Sequence, residues 1–341
     1  MDYEAFLKEW HSSSDCVLVH TSGSTGRPKP MLVEKRRMEA SARVTCRFLG
    51  LKAGDRALIC LPMDYIAGKM MAVRSIVWSL QTTCLAPSNH PFGAFKRPEF
   101  SVPFDLAAMV PSQVYSTLQV AEERELLCRV RHLLIGGGAV DEALAAQLAD
   151  FPNAVWSTYG MTETLSHIAL RRLSGPGRSD WYTPFEGVTV SLSDDGCLVI
   201  DAPAVHNGTL VTNDIAELEP PPPEGEGSGG ARRRFRILGR KDNVICSGGI
   251  KIQIEEVERL LRPHLPCPFL ITWAPDPLLG QQVVLLIEQG SVESALAVCQ
   301  SVLHKYWRPR RVMSVARLPL TDTGKPARAE AAILACSIQE I

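Results

Sequence analysis

The chain has 341 residues, enough for two or three domains of roughly 100–200 residues each. Its formal net charge of -1 leaves no surplus of cations for nucleic acid or for an anionic membrane surface, so neither is expected as a partner. No stretch reaches the ~20 consecutive apolar residues of a membrane-spanning helix, and the polar, acidic N-terminus is unlike a signal peptide, so we expect a cytoplasmic protein.

Predicted strands and helices alternate over the first two-thirds of the chain. The short apolar run at residues 16–20 is typical of a buried strand, and the apolar spacing that follows indicates a helix that ends at Gly50. Further strands are predicted at residues 56–61, 132–135 and 154–158, with helices at residues 66–80 and after the N-cap Asp141. This alternation predicts an α/β domain with a largely parallel sheet.

From about Val188 the pattern becomes entirely β. The segments VTVSL and CLVID flank an Asp-Asp-Gly turn and predict a hairpin, while the Pro- and Gly-rich residues 220–230 predict a flexible surface loop. A compact unit of ~100 residues follows, the size of one small domain. We therefore expect a large domain over residues 1–240, with its α/β part to about 187 and its β-rich part over 188–240, and a C-terminal domain over residues 241–341.

The ten cysteines are scattered along the chain. No C-x-x-C pair and no Cys/His cluster occurs in the sequence, although zinc and redox sites need such clustered ligands. A cysteine-based metal or redox function is therefore not supported.

The strongest chemical signal is the segment TSGSTGRPK, directly after the first predicted strand. Glycines allow backbone N–H groups to converge on one anion, hydroxyls add short donors, and a lysine adds charge. The spacing is not that of a Walker A loop, and a flexible linker seldom follows a buried strand directly or ends in Arg-Pro-Lys. The segment predicts a polyphosphate site formed by Thr21, Ser22, Gly23, Ser24, Thr25, Gly26 and Lys29.

TSGSTGRPK resembles the phosphate loop of the adenylate-forming superfamily, which includes acyl-CoA synthetases, amino-acid adenylation domains and luciferases. Other segments resemble later motifs of that family in the same order: GGGA at 136–139, STYGMTE at 157–163, TND at 212–214, GRKD at 239–242 and TDTGKPAR at 321–328. The chain is therefore identified as a member. The resemblance implies the α/β adenylate-forming enzyme fold, with a small mobile C-terminal α+β domain.

The resemblance also implies that the chain binds ATP with Mg²⁺. It assigns Tyr159 to stacking on adenine, Thr162 to the α-phosphate and Glu163 to Mg²⁺, and an aromatic face, a donor and an anion suit these tasks. Asp214 would accept hydrogen bonds from the ribose hydroxyls. The other implied ATP contacts are Gly137, Gly138, Ala139, Thr158, Gly160 and Arg240.

Lys325 is the implied catalytic cation, acting with Thr162 and Glu163. A long, flexible cation can reach both the substrate carboxylate and the α-phosphate oxygens. The resemblance further implies that the C-terminal domain pivots at Asp242 and withdraws Lys325. That rotation would present Ser247, Gly248 and Gly249 to the site, where the glycines let the pantetheine arm of coenzyme A pass close to the backbone.

The sequence departs from the family pattern at several positions. Pro30 stands where the family usually has Gly, Tyr65 where an aromatic–His pair is common, and Ser157 where Asn is frequent. Relatives generally carry a sizeable subdomain before the phosphate loop, which here begins at Thr21. The resemblance therefore implies a large domain that is truncated at its N-terminus, either as a natural minimal version or as one that works with a partner subunit.

The region GMTETLSHIALR resembles the o-succinylbenzoate–CoA ligase branch of the family, which serves menaquinone biosynthesis. Arg74 lies on an otherwise apolar helix, where a cation needs a partner. Either a structural acid or water satisfies it, or it binds the second, unactivated carboxylate of a dicarboxylic aromatic acid. Ser166 and His167 are predicted to line the same pocket.

Several functions remain open on this basis. We expect an acid–CoA ligase that forms an acyl-AMP, with o-succinylbenzoate, ATP and coenzyme A as substrates. An aryl or fatty acid–CoA ligase, or an enzyme that loads a carrier-protein thiol, would keep the fold. A catalytically weak nucleotide-binding subunit of a complex is a further alternative, and a homo-oligomer stays open.

Overall fold

The computed structural model describes residues 2–20, 30–95, 104–220, 232–321 and 325–337. The predicted phosphate-loop residues Thr21, Ser22, Gly23, Ser24, Thr25, Gly26 and Lys29 lie outside these ranges, as does most of the Pro- and Gly-rich segment. Within the described ranges, no helix combines the length and the apolar character needed to cross a bilayer.

A short helix and a two-stranded sheet form the N-terminal part. Helix α1 (Tyr3–Trp10) is capped by Asp2, whose carboxylate accepts a hydrogen bond from the Ala5 N–H at 2.8 Å. Strand β1 (Cys16–His20) pairs antiparallel with β2 (Pro30–Glu34). The predicted strand at residues 16–20 is thus present, and its alternate residues Val17 and Val19 are buried.

The main sheet has seven strands in the order β4-β3-β5-β6-β7-β8-β9. The strands from β4 to β7 pair in parallel, whereas β8 and β9 are antiparallel. The prediction of a largely parallel sheet is therefore correct. The strands are β3 (Arg56–Ile59), β4 (Gln81–Cys84), β5 (Leu106–Met109), β6 (His132–Ile135), β7 (Ala154–Gly160), β8 (His167–Arg172) and β9 (Thr183–Pro184).

Five helices accompany this sheet: α2 (Lys35–Phe48), α3 (Ile66–Trp78), α4 (Pro111–Leu118), α5 (Ala121–Cys128) and α6 (Glu142–Leu148). After α2 the chain turns at Gly50, whose φ of 63° suits glycine. Helix α3 stops before its predicted end because Ser79 is left-handed, with φ 53°. Asp141 caps α6 as predicted, since its carboxylate accepts from the Leu144 N–H at 2.8 Å.

A four-stranded antiparallel sheet follows, in the order β10-β11-β12-β13. Its first two strands form the predicted hairpin, with Gly196 at φ 74° in the turn. The strands are β10 (Thr189–Leu192), β11 (Cys197–Asp201), β12 (Thr209–Leu218) and β13 (Phe235–Arg240).

The C-terminal unit has its own five-stranded sheet, with β15-β14-β17-β16 in sequence and β18 parallel to β17. Its elements are β14 (Val244–Ser247), β15 (Ile250–Gln253), α7 (Ile254–Leu261), β16 (Phe269–Asp276), β17 (Gly280–Glu288), α8 (Val292–Val302), β18 (Arg311–Val315) and α9 (Arg328–Ser337). The described hydrophobic clusters of this unit share no residue with those before residue 240. The chain therefore has separate cores on the two sides of β13.

Candidate active site

A cavity of about 1570 Å³ lies between the main sheet and the C-terminal unit. One wall is formed where the parallel strands β5, β6 and β7 end, the usual position of ligand sites in open α/β sheets. The C-terminal unit supplies the opposite wall, which includes Thr321 and Lys325. Residues from both ends of the chain therefore share one site.

Many of the predicted site residues line this cavity. They are Arg74, Gly137, Thr158, Gly160, Thr162, Glu163, Ser166, His167, Asp214, Arg240 and Lys325. Other predicted residues are not part of its described wall: Gly138, Ala139, Tyr159, Asp242, Ser247, Gly248 and Gly249. The last three form the turn between β14 and β15.

The glycine turn after β6 packs directly against β7. A side chain at Gly136 would overlap the hydroxyl of Thr158, and Gly137 has a φ of 77°, which L side chains rarely adopt. Glycine at both positions therefore allows the backbone to approach Thr158 closely at the cavity wall.

Tyr159 contacts the site through its hydroxyl. The hydroxyl donates to the Asp214 carboxylate at 2.7 Å, and burial and the Asp214 charge raise the pKa of Tyr159. Its ring packs against Phe235 and Tyr182, at centroid distances of 5.0 and 5.8 Å. Side chains alternate along a strand, so Thr158 and Gly160 face the cavity while Tyr159 does not. The structure does not bring the ring to the cavity wall, and its stacking on adenine stays a prediction.

Arg240 connects the cavity to the predicted hinge. Its guanidinium makes two 2.8 Å bonds to the carboxylate of Asp242 and one 3.3 Å contact to Asp214. Burial lowers the pKa of Lys325, as does the nearby Arg240, while Asp214 acts in the opposite direction. Two cations and one carboxylate thus stand together in the wall, an arrangement suited to an anionic ligand.

Backbone contacts fix both ends of the lysine loop. The Lys325 N–H donates to the Thr321 hydroxyl at 3.1 Å, and the Thr321 N–H donates to the Lys325 carbonyl at 2.7 Å. Three residues later, Arg328 pairs with both carboxylate oxygens of Glu258, at 2.6 and 2.8 Å. This part-buried bidentate pair anchors the start of α9 and with it the position of Lys325.

Arg74 is a buried cation in the cavity wall, only 2% exposed. One of its terminal nitrogens donates to the Ser166 hydroxyl at 2.7 Å, and its Nε has no hydrogen-bond partner. Among the described residues, no carboxylate pairs with it. Burial lowers the pKa of the guanidinium to about 10, so it remains charged at neutral pH. Of the structural partners predicted for Arg74, an acid or water, the acid is therefore not present in this part of the chain.

The close approach of β7 and β8 brings Ser166 and His167 beside Arg74. A side chain at Gly160 would overlap the Ser166 carbonyl and the His167 Cα, so only glycine fits there. Leu165, just before, has a φ of 65°, a strained backbone conformation for a side chain of this size. Both the strained backbone at Leu165 and the need for glycine at position 160 therefore affect the segment that carries Ser166 and His167.

Glu163 also faces the cavity. The described residues include no group of three His, Cys, Asp or Glu side chains able to hold a metal ion. Mg²⁺ in proteins is commonly held by one or two carboxylates together with substrate phosphates. Glu163 therefore fits a Mg²⁺ ion that arrives with a phosphorylated ligand.

Residues 4–212 match the AMP-binding enzyme family. The chain belongs to this family. A solved structure from Dyadobacter fermentans DSM 18053, an acyl-CoA synthetase (AMP-forming)/AMP-acid ligase II-like protein, is 34% identical, with a TM-score of 0.62 over 97% of this chain and 92% of that one. These matches confirm the predicted family and fold, and the predicted enzyme class of an AMP-forming acid–CoA ligase.

Two further relatives of this AMP-binding enzyme carry more specific names. A 2-succinylbenzoate–CoA ligase of Bacillus mycoides (strain KBAB4) is 25% identical over 96% of this chain and 72% of its own length. The O-succinylbenzoate coenzyme A synthetase of Bacillus subtilis, solved with ATP and magnesium ion, is 23% identical and covers 92% of this chain and 69% of its own, with a TM-score of 0.73. At that identity the second match supports the fold alone.

Some residues in the cavity wall of this AMP-binding enzyme were missed by the sequence analysis. His20 ends β1, and Arg317 and Glu330 lie on either side of the lysine loop. A polar residue at the end of a buried strand was a usable signal for His20. Charges close to a predicted catalytic loop were the corresponding signal for Arg317 and Glu330.

Proposed function

We propose that this AMP-binding enzyme is an ATP-dependent o-succinylbenzoate–CoA ligase that works through an acyl-AMP. The observation that carries the proposal is Arg74, a buried cation without a carboxylate partner among the described residues, in the same cavity as Lys325. Relatives named 2-succinylbenzoate–CoA ligase support the same substrate.

A dicarboxylic acid fits the two separate cations. Burying an unpaired guanidinium costs free energy, and a ligand carboxylate would supply the missing partner. Arg74, oriented by Ser166, would bind the carboxylate that does not react. The second carboxylate would then point towards the nucleotide, so that one pocket holds the acid and selects which end is activated.

The nucleotide would occupy the part of the cavity near β12 and β13. Asp214 would accept hydrogen bonds from the ribose hydroxyls, and its contacts with the Tyr159 hydroxyl and Arg240, which hold the carboxylate in position, support this role. The predicted phosphate-loop residues 21–29 follow directly after His20, which itself lines the cavity. Mg²⁺ bound at Glu163 would neutralise part of the phosphate charge.

In the first half-reaction, a carboxylate oxygen of the acid forms a bond to the α-phosphorus of ATP, and the bond to pyrophosphate breaks. Lys325 would contact both reacting groups and stabilise the negative charge that builds on the α-phosphate oxygens. In the second half-reaction, the thiolate of coenzyme A attacks the acyl carbonyl and AMP leaves.

We also propose that residues 241–341 rotate as a domain at Asp242 between these half-reactions. The separate hydrophobic cores before and after residue 240 support such a movement. Lys325 lines the cavity in the present arrangement, whereas Ser247, Gly248 and Gly249 do not, as the first half-reaction requires. Rotation would exchange the two groups.

The test is a pyrophosphate-release assay with purified protein, ATP, Mg²⁺ and a panel of acids. We expect release with o-succinylbenzoate and formation of the thioester once coenzyme A is added. Turnover of a monocarboxylic aryl or fatty acid without any response to o-succinylbenzoate would reject the substrate and keep the enzyme class. Dependence on a carrier protein in place of free coenzyme A would reject the acceptor.

A further inference from the structure

A line of four hydrogen-bonded side chains runs from helix α2 to the cavity. The Thr45 hydroxyl contacts His167 Nε2 at 3.1 Å, and His167 Nδ1 contacts the Ser166 hydroxyl at 3.3 Å. Ser166 in turn accepts from Arg74 at 2.7 Å. Thr45 does not line the cavity among the described wall residues, so it reaches the acid pocket only through the other three.

The direction of each bond follows from the two ends of the line. The Thr45 hydroxyl also donates to the Ser41 carbonyl at 3.1 Å, and a carbonyl only accepts, so the Thr45 hydrogen is used there. At the other end a guanidinium only donates, so Ser166 accepts from Arg74 and its own hydrogen is available for His167. His167 must then accept at Nδ1 and donate from Nε2 to Thr45.

The surroundings of His167 favour this neutral form. Burial lowers the pKa of His167 well below its usual value, and the adjacent Arg74 charge acts in the same direction. Thr45 is fully buried, and the His167 ring meets the ring of Phe185 edge-on at 5.5 Å. An imidazolium would place a second positive charge next to Arg74 with no carboxylate in the described surroundings to balance it.

We propose that Thr45 and His167 are positioning residues that hold Ser166 and Arg74 ready for the free carboxylate of the acid substrate. This inference rests on the proposed function and adds the element that fixes the pocket. A hydroxyl at position 45 selects the His167 tautomer, the tautomer directs the Ser166 hydrogen away from Arg74, and Ser166 is left to orient the guanidinium. The other guanidinium donors then remain unused for a planar, anionic ligand.

The opposite tautomer would weaken the pocket. With its proton on Nδ1, His167 would donate to Ser166, which already accepts from Arg74. The Ser166 hydrogen would then have to turn elsewhere, and Nε2 would face the Thr45 oxygen without a hydrogen between them. Preorganised donors bind better than donors that must rearrange, so the acid should lose affinity while the nucleotide should not.

The experiment compares Thr45→Val, which removes the hydroxyl at nearly constant shape, with Thr45→Ser, which retains it. For Thr45→Val we expect the KM for o-succinylbenzoate to rise by about tenfold, with the KM for ATP unchanged, and for Thr45→Ser we expect values near those of the wild type. Melting temperatures of both variants check that they fold. Ser166→Ala, which breaks the line at the member next to Arg74, should raise the same KM if Thr45→Val does not fold.

Nitrogen-15 NMR of histidine in the ligand-free protein gives a readout that a merely structural role would not change. His167 should show a protonated Nε2 and an unprotonated Nδ1 at neutral pH, and Thr45→Val should disturb this signature. The signal is assigned by its absence in His167→Gln. A protonated Nδ1 in the wild type would overturn the proposal whatever the substrate.

The kinetic outcomes separate this proposal from the proposed function. Turnover of o-succinylbenzoate with an unchanged KM in Thr45→Val and in Ser166→Ala would overturn the positioning role alone. Failure to turn over any dicarboxylate would overturn both, because Arg74 would then have no carboxylate to bind.

Discussion

The two cations of the cavity, Arg74 and Lys325, are held in opposite ways. Arg74 lies on α3, a helix buried on almost every side, and a line of side chains fixes it. Lys325 lies on a loop of the C-terminal unit, whose described hydrophobic clusters are separate from the cluster that contains α3 residues. The cation fixed in the core suits a group that stays unchanged, and the cation carried by the separate unit suits charge that appears only in the transition state.

The contacts across the boundary are consistent with this difference. Besides the Arg240–Asp242 pair at the boundary itself, three ion pairs connect the described parts of the two units: Arg262 with Asp141 at 3.0 Å, Arg259 with Glu142 at 3.8 Å, and Lys241 with Asp195. All side chains of these three pairs are at least 36% exposed, and such pairs contribute only ~0–1 kcal/mol each. These exposed pairs thus contribute little to holding the unit that carries Lys325, whereas Arg74 is buried on α3.

The largest expected effect comes from Lys325→Ala. Formation of acyl-AMP should fall by roughly 10²–10³-fold, because the charge on the α-phosphate loses its stabilising cation. Thioester formation from pre-made acyl-AMP should stay near the wild-type rate, because the proposed rotation withdraws the lysine before that step. Single-turnover assays of the two half-reactions check this, and an equal loss in both would contradict the two-conformation account.

Substitution of Arg74, the cation fixed in the core, tests the other half of the comparison between Arg74 and Lys325. Arg74→Ala should raise the KM for o-succinylbenzoate by about 100-fold, the effect of removing one partner of a buried charge pair, and leave the KM for ATP unchanged. Arg74→Met should do the same without lowering the melting temperature, because it replaces an unpaired buried charge with an apolar side chain. Equal losses for acid and ATP would indicate a structural role for Arg74.

Gly160→Ala should disturb the region around Arg74 without changing any charged residue. The added methyl group overlaps the Ser166 backbone, so β7 and β8 must separate, and we expect a stability loss of roughly 1–3 kcal/mol together with a weaker affinity for the acid. Gly177→Ala is the matched control, because a methyl group there meets only ordinary contacts. Thermal melts of both variants give the comparison. Equal melting temperatures would show that the two strands adjust freely.

The smallest expected effect concerns the weak, exposed ion pairs between the C-terminal unit and the rest of the chain. Arg262→Glu places like charges opposite Asp141 and should slow acyl-AMP formation by about two- to fivefold, while thioester formation keeps its rate or gains. High salt should remove the difference between variant and wild type, since exposed pairs are screened. A loss that persists at high salt would show that Arg262 acts through packing instead.

Most of the architecture was predictable because local patterns and tertiary structure agree. The helix after Asp141 and the hairpin around Gly196 depend on a cap and a turn glycine that the sequence displays openly. Strand β8 was missed by the sequence analysis. Its residues are buried on both faces and show no alternation, so only its pairing with β7 identifies it.

The same reasoning applies to the site. The order of the motifs along the sequence was sufficient to predict that residues as distant as Thr158 and Lys325 share one site, and both line the same cavity. It could not give the orientation of Tyr159, because the face of a strand on which a side chain lies depends on register. Nor could it reveal the line from Thr45 to Arg74, because its members come from three elements and the contact between Thr45 and His167 spans 122 positions of the chain.

Through its contacts, Arg240 would couple nucleotide binding to the orientation of the C-terminal domain. Its guanidinium is shared between two carboxylates. One belongs to Asp214, in the cavity wall where the nucleotide is proposed to bind, and the other to Asp242, at the proposed hinge. In the proposed complex, a ribose that competes for Asp214 would change how strongly Arg240 holds Asp242, and by linkage a change in the hinge would alter nucleotide affinity by the same factor. Release of AMP and rotation of the C-terminal domain back to its first position would then be thermodynamically coupled.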